Sequence, residues 1–235
     1  MAGAVCGLAN VLESYRGRDR VIRTLCYSCQ LLGGVLSQKN GTGQNWGKSL
    51  LIVSSQLNHC RTVLRLFDDV AMFSYSMKYG LGKKEKDSFI RWISVITNIS
   101  DQLYYPCEHI AWAADSGVIQ AKSEKWWMVS TVFWGLSLIL GIVKSLRSLL
   151  LLRRNNGRHF KGEPPQSRGE IKSQIRSEVL CILSSISDLV NAIHWMPSGF
   201  LWGGCSPTWL VGLMGTLSSL IGIFQAFGGS SSGAV

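Results

Sequence analysis

Residues 126–143 form a run of eighteen positions without a charge, from Trp126-Trp127 to Ile142-Val143, and Lys144, Arg147, Arg153 and Arg154 follow closely. At about 1.5 Å of rise per helical residue, the run covers most of a hydrocarbon core roughly 30 Å thick. A helix this apolar either crosses a membrane or forms the centre of a soluble domain. Core helices seldom lack every charged side chain, so the sequence predicts a transmembrane helix over 126–143. Trp126 and Trp127 stand where an interfacial aromatic belt lies, and the arginines stand where a span meets headgroups.

A second candidate span covers 209–227, uncharged and interrupted only by the neutral Gln225. Gly215 with Ser219, and Ser218 with Gly222, are pairs of small residues four apart. Such pairs let helix backbones approach where lipid supplies no hydrophobic drive for association. Ser137 with Gly141 repeats the spacing in the first span, so these six positions are candidate helix–helix contacts. The alternative is the general abundance of Gly and Ser in membrane helices.

Met1 to Val11 is short and only weakly apolar, so entry by the secretory route is not expected and targeting information should be internal. Residues 228–235, Gly-Gly-Ser-Ser-Ser-Gly-Ala-Val, have the composition of a flexible tail and not of a Ser-Lys-Leu address. The seven cysteines, at 6, 26, 29, 60, 107, 181 and 205, lack framework spacing and are expected to be reduced. Cys26 and Cys29 form a C-x-x-C, but no second Cys or His pair completes a zinc set and no βαβ pattern surrounds a redox motif. No metal or other cofactor is expected. The sequons at Asn40 and Asn98 carry no meaning outside the secretory lumen.

The net charge is +10. Between Lys144 and Glu178 nine Lys/Arg stand against three Glu, a local excess of six positive charges. Phe160 and His159 are the only rings there, too few for a nucleic-acid surface. Juxtamembrane charge that holds anionic headgroups is the better explanation, and 144–177 reads as a basic linker whose Gly162–Gly169 segment is turn-forming.

The first 122 residues read as amphipathic α-helices. Leu8, Val11, Leu12 and Tyr15 make one apolar stripe, Arg16–Arg20 interrupts it, and Val21, Ile22, Leu25, Cys29 and Leu32 resume it. Gly33-Gly34 and the polar run Lys39–Gly47 are predicted to end that helix. A break near Tyr79–Lys84 separates two more helices, about 48–79 and 86–105. Gly47-Lys48-Ser49 resembles the end of a phosphate loop, but the required first glycine is Thr42, which rules the motif out.

Within this region 57–77 stands out. At 100° per residue Arg61, Arg65, Asp68 and Asp69 fall in a narrow polar sector, and Val63, Leu64, Leu66, Phe67, Val70, Ala71 and Phe73 fill the rest. Such a helix can lie on a membrane with its apolar side at the acyl boundary and expand one leaflet, or it can pack in a small bundle. The membrane-binding candidates are Arg61, Val63, Leu64, Arg65, Leu66, Phe67, Val70 and Phe73. Residues 178–196 form another amphipathic helix, and Asp188 in its middle makes it costly as a lipid-exposed span.

The segments Leu12–Arg23, Cys60–Asp69, Asp101–Trp112 and Asn191–Trp195, with the glycine-rich last span, resemble the peroxisomal membrane protein 11 (peroxin 11) family, most of all its gamma type. The resemblance runs from end to end. It implies an integral protein of the peroxisomal membrane that elongates the organelle and prepares it for fission. It also implies self-association, pairing with sister isoforms, and recruitment of fission adaptors and a dynamin-like GTPase. The family's membrane-active helix would map onto 57–77, and both termini would be cytosolic, although the positive-inside rule applied to two spans would leave the basic linker in the cytosol instead.

The expected fold class is therefore all-α, an integral membrane protein with amphipathic N-terminal helices and two transmembrane helices. The leading function is membrane shaping without catalysis, and the alternative is a small-solute channel or transport accessory. Against an enzyme, His59, His109, His159 and His194 lie in different segments and no carboxylate pair stands out. Expected partners are membrane lipids and copies of the same family, with no nucleic acid.

Overall fold

The computed structural model describes residues 13–38, 42–83, 85, 87–156 and 168–230. Among these, every regular element is a helix: α1 (Tyr15–Leu36), α2 (Thr42–Arg65), α3 (Asp68–Tyr79), α4 (Ser88–Asp115), α5 (Ser123–Asn156), α6 (Arg168–His194) and α7 (Thr208–Ser230). Two compact units result, one of residues 1–68 with 193–235 and one of residues 69–192.

In the first unit α1 packs against both α2 and α7. The Ser14 hydroxyl caps α1 by accepting from Gly17 N–H at 3.0 Å. The helix then runs unbroken through Arg16–Arg20 and through Gly33-Gly34, where the sequence predicts an interruption and an end. Two observations explain the difference. Asp19 within the charged run is tied to Arg61 of α2, with Nε to Oδ1 at 2.9 Å. The glycines serve close approach: a Cβ on Gly33 would meet Leu51 Cγ at 2.9 Å, and one on Gly34 would meet Trp209 N at 2.6 Å. Cys26 and Ser54 lock α1 to α2 by exchanging bonds, the Ser54 hydroxyl donating to the Cys26 carbonyl at 2.9 Å and the Cys26 thiol to the Ser54 carbonyl at 3.3 Å.

In the second unit α4 and α5 form an antiparallel hairpin around the turn 116–122. Asp87 caps α4 by accepting from Phe89 and Ile90 N–H, both at 3.0 Å. The turn leaves α4 through Gly117 at φ 72°, and Val118 N–H reaches back to the Ala113 carbonyl at 2.9 Å, a left-handed ending that favours glycine. α3 lies on α4, where the Ser76 hydroxyl donates to the Asn98 side-chain oxygen at 2.8 Å and His109 Nδ1 stands 3.2 Å from Asp69 Oδ2.

The candidate spans fall within α5 and α7. α5 is longer than 126–143 and carries 144–156 of the predicted linker as helix, α6 begins at Arg168, and α7 reaches Ser230. The remainder of the linker, 157–167, and the tail 231–235 lie outside the described residues, as do the stripe residues Leu8, Val11 and Leu12.

Candidate membrane-interacting site

The stretch 57–77, continuous by periodicity, is two helices. α2 ends in 3₁₀-type turns, with Leu66 N–H to the Val63 carbonyl at 3.2 Å and Phe67 N–H to the Leu64 carbonyl at 3.1 Å, and α3 restarts at Asp68. No glycine or proline marks the break. The signal is charge: Arg65 closes α2 and Asp68-Asp69 open α3, placing a cation at a helix C-terminus and carboxylates at an N-terminus as the backbone dipoles favour. Tyr15 consolidates the junction by donating its phenol to the Leu64 carbonyl. Burial first, and then the Asp68 carboxylate, push that phenol up to about 12, so it stays a protonated donor.

The break redistributes the predicted site. Arg61 is buried and ion-paired to Asp19, so it is a structural residue of the first unit and not part of a solvent-facing polar strip. Val63, Leu64, Arg65 and Leu66 are half-buried. Phe67, Val70 and Phe73 are exposed, and so is Met77, which periodicity alone did not single out. On α3, Val70 is 78% exposed and Met77 70% exposed, and with Phe73 they fall within about 60° of arc at 100° per residue. Ser76 and Asp69 occupy the face turned to α4. The side of α3 away from α4 is thus open, and Val70, Phe73 and Met77 form an apolar strip on it beside the exposed Ser74, Tyr75 and Lys78.

The small-residue positions divide in the same way. A Cβ on Gly215 would fall on the Tyr27 ring, and one on Gly212 on the Leu31 backbone, so α7 lies directly against α1. Ser218 accepts from Arg23 Nη2 at 2.8 Å, and the Arg23 guanidinium stands 5.7 Å from the centre of the Tyr27 ring. Ser219 is buried and donates to the Gly215 carbonyl at 2.6 Å. Gly222 is different: nothing lies within 4 Å of a Cβ there. In the second unit a Cβ on Gly141 would be 3.9 Å from Ser185 Oγ, and the Ser137 hydroxyl bonds the Asp101 carboxylate. The close approach signalled by small residues at 215 and 218 is thus used inside the chain.

Cys26, Cys29, Cys60, Cys107, Cys181 and Cys205 are free thiols, and among the described residues no group of three His, Cys, Asp or Glu is arranged to hold a metal ion. Burial pushes the Cys29 thiol up, the opposite of what an attacking thiolate needs.

Only 11% of the apolar window of α5 and 33% of that of α7 is buried within the protein. A soluble core helix is covered by its own fold; these are long apolar helices with most of their surface uncovered, which defines a helical integral membrane protein. The model of the Peroxisomal biogenesis factor 11 (PEX11) family matches residues 5–227, and the chain belongs to that family. It is 53% identical to human Peroxisomal membrane protein 11C over 227 residues, covering 95% of this chain and 94% of the relative. It is 55% identical to the mouse protein of the same name over 223 residues, covering 93% and 92%. Human Peroxisomal membrane protein 11B is more distant, 28% identical over 139 residues, which is 58% of this chain and 52% of that one. No solved structure matches the chain.

Proposed function

We propose that this chain is a peroxisomal membrane protein that elongates the organelle membrane and prepares it for fission, and so controls peroxisome size and number. It acts without catalysis, together with further copies of itself, sister isoforms, fission adaptors and a dynamin-like GTPase, and its termini face the cytosol. Family membership and the relatives' names support the compartment. The observation that carries the mechanism is the uncovered apolar side of α3. Val70, Phe73 and Met77 contribute about 1.5–3 kcal/mol each on full burial, so sinking them into one leaflet is worth several kcal/mol. α3 is twelve residues long, or about 18 Å, too short to cross. It therefore adds area to one leaflet, and unequal leaflet areas bend a bilayer.

A solute channel would need polar side chains facing a lumen. Ser130, Thr131 and Ser219 instead donate to carbonyls of their own helices, at 2.9, 2.8 and 2.6 Å. The test is the pair Val70→Glu with Phe73→Glu, expressed in cells and imaged with a peroxisomal marker. Loss of elongation with retained targeting supports the mechanism; elongation at the unsubstituted level overturns it.

A further inference from the structure

α4 is too polar to be read as a span, because Arg91, Asp101, Glu108 and His109 punctuate it. Its packing is the reverse of what those charges suggest. Asp87, Ser94, Asp101, Glu108 and Asp115 recur every seven residues, the spacing that keeps a seam turned to one partner helix. The partner is α5. At one end of the hairpin Asp115 Oδ2 accepts from Trp127 Nε1 at 2.6 Å, in the middle Asp101 is bonded to Ser137, and at the other end Asp87 Oδ2 pairs with Arg147 Nη2 at 2.9 Å. Between these ties Glu108 is 1% exposed and accepts from the Tyr104 hydroxyl at 2.8 Å, and Ser94, Ser130 and Ser145 are buried. The opposite side of α4 carries Phe89, Trp92, Ile96, Ile99 and Leu103, all exposed, and α5 likewise turns Val132, Leu136 and Ile139 outward.

Polar groups inside and apolar groups outside are the arrangement for a hydrocarbon solvent, where buried polar side chains must find partners within the bundle and the outer face has nothing to avoid. We propose that α4 crosses the bilayer as the antiparallel partner of α5, with the stripe Phe89–Leu103 facing lipid acyl chains. This rests on α5 being a span, as proposed above; the outer apolar surface of α4 continues that of α5 at matching depth. At 28 residues α4 is about 42 Å long, more than the hydrocarbon thickness, so Asp87 and Asp115 reach the two headgroup regions.

The hairpin also distributes charge coherently. Lys83 before α4 falls on the same face as Lys144–Arg154 at the end of α5, while the turn 116–122 with its single Lys122 falls on the other. By the positive-inside rule the basic face is then the cytosolic one.

The experiment compares two exposed turn positions in the full-length protein on intact peroxisomes. Lys83→Cys and Ile119→Cys are each treated with a membrane-impermeant maleimide–polyethylene glycol before and after permeabilisation, and the extra gel shift over the native cysteines is read. Opposite faces, with one position reacting on intact organelles and the other only after permeabilisation, support the crossing; the same face for both overturns it. Because turn substitutions leave the helices untouched, misfolding does not confuse the result. A hydrophobic carbene photolabel on the unsubstituted protein gives the second readout. Label in the α4 fragment at half or more of the α5 level supports the crossing, and less than half overturns it. An unlabelled α5 fragment would instead defeat the membrane assignment on which this rests.

Discussion

Gly215→Leu separates contact within the chain from contact between chains. A Cβ at 215 already collides with the Tyr27 ring, and leucine adds three further carbons, so α1 must move or the Tyr27 side chain must leave its place. Overpacking of this kind costs about 1–3 kcal/mol. At about 1.4 kcal/mol per tenfold change, the open population of α1 should rise roughly 5- to 100-fold. Cys26 reports it, because its thiol is buried between α1 and α2 and is exposed when α1 lifts. In detergent-solubilised protein, maleimide modification of the Cys26 peptide, followed by mass spectrometry, should accelerate by that factor. Gly222→Ala, with open space around its Cβ, should leave the rate unchanged within about twofold. A Gly215→Leu protein that keeps the native Cys26 rate but changes its oligomeric state would refute the reasoning, since the 215 edge would then serve another copy.

Arg61→Ala strands Asp19 and empties a buried site; with Asp19 still 30% exposed the cost is about 1–3 kcal/mol, read as a lowered melting temperature, and the double change Arg61→Met with Asp19→Asn should recover much of it. The hydrogen bond from Arg147, then that from Ile90 N–H, holds the Asp87 carboxyl below its usual range. Its contribution is thus present above the unfolded value near 4 and lost as pH falls through the lower folded value, so helical content should drop on acidification below about pH 4, and Asp87→Asn should flatten that dependence. Val70→Glu with Phe73→Glu should abolish organelle elongation while the protein still reaches peroxisomes.

The periodic parts of the chain were legible because each element's dominant contact is a stripe or an uninterrupted apolar run. The two long apolar helices and the helical character of the described residues among the first 122 follow from that alone. What the sequence concealed depends on partners distant in the chain. Arg61 looks like a surface charge until Asp19, forty-two positions earlier, is found beside it. Gly33-Gly34 has the composition of a helix end, yet the helix continues because α2 and α7 need the missing side chains for approach. The break at Leu66-Phe67 was visible only as Arg65 followed by Asp68-Asp69, a dipole signal that hydrophobic periodicity ignores. It matters to the site, since it moves the exposed apolar face onto Val70, Phe73 and Met77. The seven-residue repeat of α4 was hidden for a similar reason, as Asp101 and Glu108 read as solvent contacts until the facing helix is known.

Extraction of peroxisomal membranes with alkaline carbonate tests most directly whether α5 and α7 hold this chain in a bilayer. Retention of the protein in the membrane pellet is the expected result, and its release into the supernatant would contradict the account.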